Sequence, residues 1–477
     1  MPRPPDTGTL AALKAVVGAG AWLDTPDDLA PYISDFRHLY EGATPLVLLP
    51  RTVGEVAAIL SICHRDEVAV VPYGGNTSYC GGATPDESGT QIVLAMRRLN
   101  RIRQLDAGNY SMIVEAGCTL AQAQAAAGAQ DRLFPLSLGS EGTAQIGGNL
   151  STNAGGTAVI RYGMMRDLVL GLEVVLADGR VMGGLKSLRK DNTGYDVKSL
   201  FIGAEGTLGV ITAASLKLFP QPADTATALA GIDSPQQALE LLAQMRAAAG
   251  DQLTTVELMP RIAVELTVKY IAGVANPLDQ GAPWYLLVEL TSPNPKQNLA
   301  ALLAEELQQA ASRGIVRDAA IASSLAQSKA MWKLRESVPE AQRHYGASLK
   351  HDVSVPVSCI PRLVAEGSEL IGQLVPEGVV VCYGHMGDGN LHFNVSQRPG
   401  APRTEFLARG KALETAMFDL VEGLGGSISA EHGIGRLRAP EFAARADPVE
   451  YALMCSLKRA MDPKSILNPG KVLRSPV

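Results

Sequence analysis

Histidine is scarce in this chain, seven residues among 477, and aromatic side chains make up only 5% of it. The six cysteines, at positions 63, 80, 118, 359, 382 and 455, contain no C-x-x-C pair. That argues against zinc-ribbon and dithiol motifs, and a chain this long needs no disulfide scaffold. Reduced thiols in a cytoplasmic protein are the expectation. No apolar run reaches the roughly 18 residues that a membrane span needs. There is no block of Lys and Arg, and the net charge is −6, which makes nucleic acid and anionic membrane surfaces poor partners. Near the start, "TLAALKAVVGAGAWL" is interrupted by Lys14 and has no basic leader, so it reads as a mature N-terminal helix. Neither a G-x-G-x-x-G after a strand nor a G-x-x-x-x-G-K-[ST] occurs, which excludes a Rossmann turn and a P-loop.

What is present is apolar and ordered: 46% hydrophobic and 19% charged residues. At roughly 100 to 200 residues per domain, the length predicts two to four domains. Residues 45–220 carry short β-branched runs broken by glycine, "VAVVPYGG", "SMIVEAG", "LVLGLEVVLADG" and "LGVITAASLKLFP" among them, with "ADGR" as a hairpin turn. "TVGEVAAILSICHRD" has helical spacing. The Pro-containing exit "LFPQPAD" predicts a boundary near residue 222. Beyond it, "SPQQALELLAQMRAAAG" and "NPKQNLAALLAEELQQAASRG" each open with a capping residue before Pro and end at Gly. A third helical pattern is "SSLAQSKAMWKLRESVPEAQRHYG". With the strands "TTVELM", "PWYLLVELT", "LKHDVSVPV" and "GVVVCYGHM" between them, these predict an α+β module with helices on one face of an antiparallel sheet. The expected segments are 1–222, 223–402 and a mostly helical 403–477.

Three loops concentrate glycine: "PYGGNTSYCGG" (72–82), "GSEGTAQIGGNLSTNAGG" (139–156) and "GAEGTLG" (203–209). Glycine lets backbone N–H groups approach a ligand closely, and successive N–H groups form anion-binding concavities suited to a pyrophosphate. Any one of these loops could be a tight turn. Three within 140 residues point to a large phosphate-bearing cofactor.

The histidines are gathered elsewhere. In "YGHMGDGNLHFN" (383–394), two flank a glycine-rich turn, and "GGSISAEHGIGR" supplies Glu431 and His432. If residues 387–390 form the loop of a hairpin, His385 lies directly opposite His392. Their Cβ atoms are then roughly 4.5 to 5.5 Å apart, close enough to bind one ion. Period-two alternation puts Asn394 on the face of His392. Two His and one carboxylate are a three-ligand set for a catalytic zinc with positions open for substrate. Singly, each histidine reads as a surface or satisfied residue; three of seven within 48 residues favour a site.

These motifs, with "LRKDNTGYDVKSLFIGAEGTLGVIT", resemble the vanillyl-alcohol oxidase and p-cresol methylhydroxylase flavoprotein superfamily over nearly the whole chain. The resemblance is closest to its FAD-linked D-2-hydroxy-acid dehydrogenases, the D-2-hydroxyglutarate and D-lactate enzymes. It implies FAD bound between two α+β subdomains, a substrate domain with an antiparallel sheet and covering helices, and a helical C-terminal segment completing the active site. Pro72 and Gly74, Gly75, Asn76, Thr77 and Ser78 would hold the pyrophosphate region. Ser140, Gly147, Gly148, Asn149, Thr152 and Ala154 would line the dinucleotide and ring, with Glu205, Ile211 and Asn468 nearby. These loops contain no histidine and only one thiol, Cys80, so the expected FAD is non-covalent. His385, His392 and Glu431 would bind a divalent metal, zinc or an ion such as Mn²⁺ or Co²⁺. His432 would be the catalytic base and touch substrate, with the C2 hydride passing to flavin N5.

Arg335 and Lys350 match positions that bind a distal carboxylate in hydroxyglutarate-type relatives, and Asn394 would touch the C1 end. Pro339 departs from the pattern, standing where those relatives carry threonine. The implied reaction is oxidation of an (R)-2-hydroxy acid, (R)-2-hydroxyglutarate first and D-lactate or D-malate as alternatives. The implied acceptors are an electron-transfer flavoprotein, a quinone or a cytochrome; oxygen and the oligomeric state, a homodimer included, are left open. A non-redox flavin transferase of the same superfamily and a flavoprotein without activity are the rival classes.

Overall fold

The strands between residues 45 and 220 form two larger sheets and a two-stranded one, Arg132–Leu133 with Phe219–Pro220, and those after 222 form one large sheet. The computed structural model describes residues 2–474; Met1 and residues 475–477, the outer ends of the expected first and third segments, lie outside the described residues. Two units divide the chain. The first takes the residues up to Gly156, Gly163–Gln221 and those from Glu431 on; the second takes Thr157–Tyr162 and Pro222–Ala430. The chain thus changes unit between Gln221 and Pro222, and again within the tail, where Arg403–Ala408 and Gly410–Gly423 stay with the second unit and Ala439–Arg445 and Pro448–Met461 return to the first. The tail is thus divided between the two units instead of forming a third.

In the first unit, a four-stranded sheet runs in the order Trp22–Leu23, Val47–Leu48, Ile92–Ala95, Val70–Tyr73, its last three strands parallel. The Val53–Asp66 helix covers it with Val56, Ile59, Leu60 and Cys63, which recur at helical spacing and are all buried. Thr52 caps its start by accepting from the Glu55 amide. The second sheet is five-stranded and antiparallel, in the order Ile102–Asp106, Ser111–Glu115, Val210–Lys217, Val169–Val175, Val181–Gly184. The "ADGR" turn joins its last two strands, with Gly179 at φ +87°.

The second unit is built on an eight-stranded antiparallel sheet. From one edge its strands are Asp318–Ile321, Asp224–Ile232, Trp284–Ser292, Leu253–Pro260, Gly378–His385, Asn390–Gln397 and Ser348–Leu349, with Asp352–Ser354 also pairing to Asn390–Gln397. Helices cover both faces rather than the one expected. Pro235–Ala249, Leu299–Ser312, Ile360–Leu374 and Gly410–Gly423 pack on Leu258, Val288, Leu391 and Phe393. Arg261–Tyr270, Leu325–Glu336 and Val338–Tyr345 pack on the other face, against Met259, Leu287 and Val381. Leu253–Pro260 is buried at every position. A central strand covered on both faces loses the alternation that betrays a one-sided sheet.

Two helix starts differ from expectation. The helix expected at Asn294-Pro295 begins at Leu299, because the Asn294 side chain accepts instead from the Lys296 amide in a local turn. "SSLAQSKAMWKLRESVPEAQRHYG" is two helices, Leu325–Glu336 and Val338–Tyr345, parted at Ser337. Pro339 has no N–H to give the carbonyl four residues back, so it sits in a first turn.

Candidate active site

The Gly378–His385 and Asn390–Gln397 strands form the histidine hairpin, turned by residues 386–389. His385 pairs with Asn390, and His392 with Tyr383, so the register is two residues away from the one that sets the histidines directly opposite. The turn explains the shift. Gly389 adopts φ +90° and lies so close to Val355 that a Cβ there would meet its carbonyl oxygen at 2.0 Å. Asp388 accepts from the Asn390 amide at 3.1 Å, and Met386 is buried in the core instead of pairing with Leu391. A slip of one residue would have put the histidines on opposite faces; a slip of two keeps them together. The ring centroids are 5.9 Å apart at 72°. Leu391, Phe393 and Val395 alternate to the apolar face, each worth about 2 kcal/mol of burial. Gly389→Ala is therefore expected to cost about 3 kcal/mol or more through the positive φ and the backbone clash, read as a lower denaturant midpoint.

Each histidine faces a carboxylate across the ladder. Glu257 is the cross-strand partner of His385, and its Oε1 lies 2.5 Å from His385 Nδ1. Its Oε2 accepts from Arg335 Nε at 2.6 Å, and Glu257 is wholly buried. Burial pushes this carboxyl up, but Arg335 and His385 outweigh it and hold it down at about 2. An ionised Glu257 takes the proton on Nδ1, which directs the Nε2 lone pair of His385 outward for a metal. Asp352 pairs with His392, with 3.7 Å between Oδ1 and Nδ1, and also accepts from Asn390 Nδ2 at 2.9 Å. Asn394 lies on the same face as His392 and donates to Gln342 Oε1 at 3.0 Å. Extending the register that pairs Leu349 with Val395 and Asp352 with His392 brings Lys350 level with Asn394.

Arg335 is also engaged within the fold. Its side chain is 8% exposed, binds Glu257, and lies over the Tyr383 ring at 4.9 Å. Glu257, Asp352, Tyr383 and Gln342 were missed in the sequence. The one available signal was a single acid in "TTVELM", a strand otherwise without charge.

In the first unit the first two glycine loops converge. A Cβ on Gly75 would meet the Thr143 carbonyl oxygen at 2.1 Å, and Gly74 faces Gln145 and the Gly148 backbone at 3.7 Å. Asn76 takes φ +51° and donates to the Ser34 carbonyl. Gly147 is pressed on Ala116, while a Cβ on Gly148 would enter open space. Asn149 Nδ2, Gln145 Oε1 and Asn468 Oδ1 are buried without a hydrogen-bond partner. Buried polar groups normally find one, so these amides beside a glycine cradle fit a polar cofactor such as FAD. Thr152 is turned back on the Gly148 carbonyl, Ala154 and Ile211 are buried, and Pro72 packs on Gly206. Thr77, Ser78 and Ser140 are partly exposed.

Glu431 and His432 also belong to the first unit, whereas His385 and His392 belong to the second. The His432 ring rests on Tyr79, centroids 4.5 Å apart, and Tyr79 meets the edge of Phe36. Glu205 accepts from the Ile434 and Gly435 amides; burial pushes its carboxyl up and those two amides oppose it. Cys80 Sγ donates to the Gly433 carbonyl at 3.3 Å.

Two family descriptions match this chain: "FAD linked oxidases, C-terminal domain" over residues 221–472, and "FAD binding domain" over residues 44–183. The chain belongs to the FAD-linked oxidases and is an FAD-linked oxidoreductase. It is 40% identical over 466 residues to the mitochondrial D-2-hydroxyglutarate dehydrogenase of Bos taurus, covering 97% of this chain and 83% of that one. It is 34% identical to a D-2-hydroxyglutarate–pyruvate transhydrogenase of Saccharomyces cerevisiae, covering 98% and 95%. Among solved structures, p-cresol methylhydroxylase matches with a TM-score of 0.76 and 18% identity, over 99% of this chain and 98% of that one, which establishes the fold. No helix among the described residues is long and apolar enough to cross a membrane.

Proposed function

We propose that this protein oxidises an (R)-2-hydroxy acid to its 2-oxo acid with FAD and a divalent metal, (R)-2-hydroxyglutarate being the leading substrate. The observation that carries it is the histidine hairpin: two imidazoles on one face, one with its Nδ1 proton held by a buried carboxylate. The names of the relatives, D-2-hydroxyglutarate dehydrogenases at 36% and 40% identity, support the substrate class.

In this reading His385, His392 and Glu431 would hold the ion, which when bound supplies positive charge that lowers the pKa of a hydroxyl. FAD, when bound, supplies the two-electron acceptor. His432 receives the hydroxyl proton on an imidazole nitrogen. Asn394 orients the C1 end, Lys350 carries the distal carboxylate, and Glu257 fixes the tautomer of His385. An electron-transfer flavoprotein, quinone or cytochrome takes up the electrons. Arg335 binding to Glu257, and the absence of a hydroxyl at Pro339, favour D-lactate as the second reading.

Anaerobic bleaching of the flavin's visible absorbance tests this with the D and L forms of 2-hydroxyglutarate, malate and lactate. D-2-hydroxyglutarate should bleach the protein and its L form should not, and a chelator should stop bleaching until metal is restored. Bleaching by D-lactate but not D-2-hydroxyglutarate would overturn the substrate; bleaching that survives chelation would overturn the metal's role. A transferase would keep turning over after His385→Ala.

A further inference from the structure

We propose that Glu205 is a positioning residue for His432, an internal acceptor around which the His-Gly-Ile-Gly turn is wound, and not a contact to the dinucleotide. This role rests on His432 being the base of the proposed reaction. The geometry lies wholly within the first unit. Glu205 Oε1 accepts from the Ile434 amide at 2.7 Å and the Gly435 amide at 3.1 Å, and Oε2 accepts from Gly435 at 2.9 Å. Successive N–H groups in a turn with positive φ form a concavity for an anion. Gly433 and Gly435 have φ of +72° and +52°.

The fit leaves no room for larger residues. A Cβ on Gly433 would lie 2.7 Å from Glu205 Oε1, one on Gly82 would lie 3.0 Å from Oε2, and one on Gly435 would strike the Cys80 carbonyl oxygen at 2.2 Å. Glu205 is itself pinned. It takes φ +49°, its amide donates to the Ser151 carbonyl, and its own carbonyl accepts from Asn468 Nδ2, both at 2.8 Å. The Cys80 carbonyl holds the far side of the turn by accepting from the Arg436 and Leu437 amides. His432 precedes the first of these glycines, so its backbone direction follows from Glu205 while Tyr79 sets its ring. A misplacement of about 1 Å can cost about 10²-fold in rate.

The test is Glu205→Gln, with Glu205→Ala beside it. Glutamine keeps the shape and one acceptor oxygen but turns an NH₂ toward an amide donor. The expected result is an unchanged FAD-to-protein ratio, kcat down by about 10²-fold with KM little altered, and a larger loss in Glu205→Ala. Hydrogen exchange should quicken in the peptide covering 431–437 and not in those covering 74–78 and 147–152. Loss of FAD with the 431–437 peptide unchanged would assign Glu205 to the cofactor and overturn the proposal, as would an unchanged kcat. If the wild type oxidises no 2-hydroxy acid, the functional reading falls, and the exchange data still decide whether Glu205 holds the turn. Should Glu205→Ala fail to fold, the glutamine variant carries the comparison.

Discussion

His385→Ala and His392→Ala should each lower kcat/KM by about 10³-fold while the protein keeps its flavin. The size follows from the several kcal/mol that a bound cation contributes to charge stabilisation, at about 1.4 kcal/mol per tenfold in rate. Flavin retention follows from the glycine loops that would hold it, which contain no histidine. The hairpin itself should survive, because Leu391, Phe393 and Val395 anchor its opposite face. Metal analysis of each purified variant, set beside steady-state kinetics, checks the prediction. A variant that loses its metal yet keeps its rate would refute it.

Glu257→Gln should show the second largest effect, on stability and metal binding together. The buried Arg335 guanidinium loses its counter-charge, a change that typically costs 3 to 5 kcal/mol, roughly. His385 loses the carboxylate on its Nδ1, which typically weakens metal affinity about 10- to 100-fold. The stability effect has a pH signature. The Glu257 carboxyl is held at about 2 against an ordinary value of 4.5, so its folded-state pKa is depressed. Its contribution, on the order of 3 kcal/mol, is complete above pH 4.5 and disappears as the pH falls from 4.5 toward 2. Urea unfolding of wild type and variant should therefore give midpoints that differ most at neutral pH and converge in acid. A difference that stays constant with pH would dismiss the ion pair as its source. Adding Arg335→Met to Glu257→Gln should recover part of the loss, since the buried charge that Glu257 faced is then gone.

Local chemistry was legible where local rules decide it. Ser234 caps the Pro235–Ala249 helix as its spacing implies, and Asn394 shares a face with His392 because side chains alternate along any strand. The histidine pair survived an error in register for the same reason. Partnerships between distant segments were not legible. Glu257 and His385 are 128 residues apart and meet only because two strands are neighbours in the sheet. Glu205 and Ile434, 229 apart, meet because the tail returns to the first unit.

By itself, the amino-acid order determined the glycine loops, the hairpin with its two imidazoles on one face, and the turn that carries Glu431 and His432, since each follows from backbone preferences acting over a few residues. Only the tertiary structure decided which acid orients His385, which one winds the His432 turn, and that Arg335 is bound to Glu257. Those choices depend on strand order and burial, where a charge removed from water must find its partner among whatever the fold brings beside it.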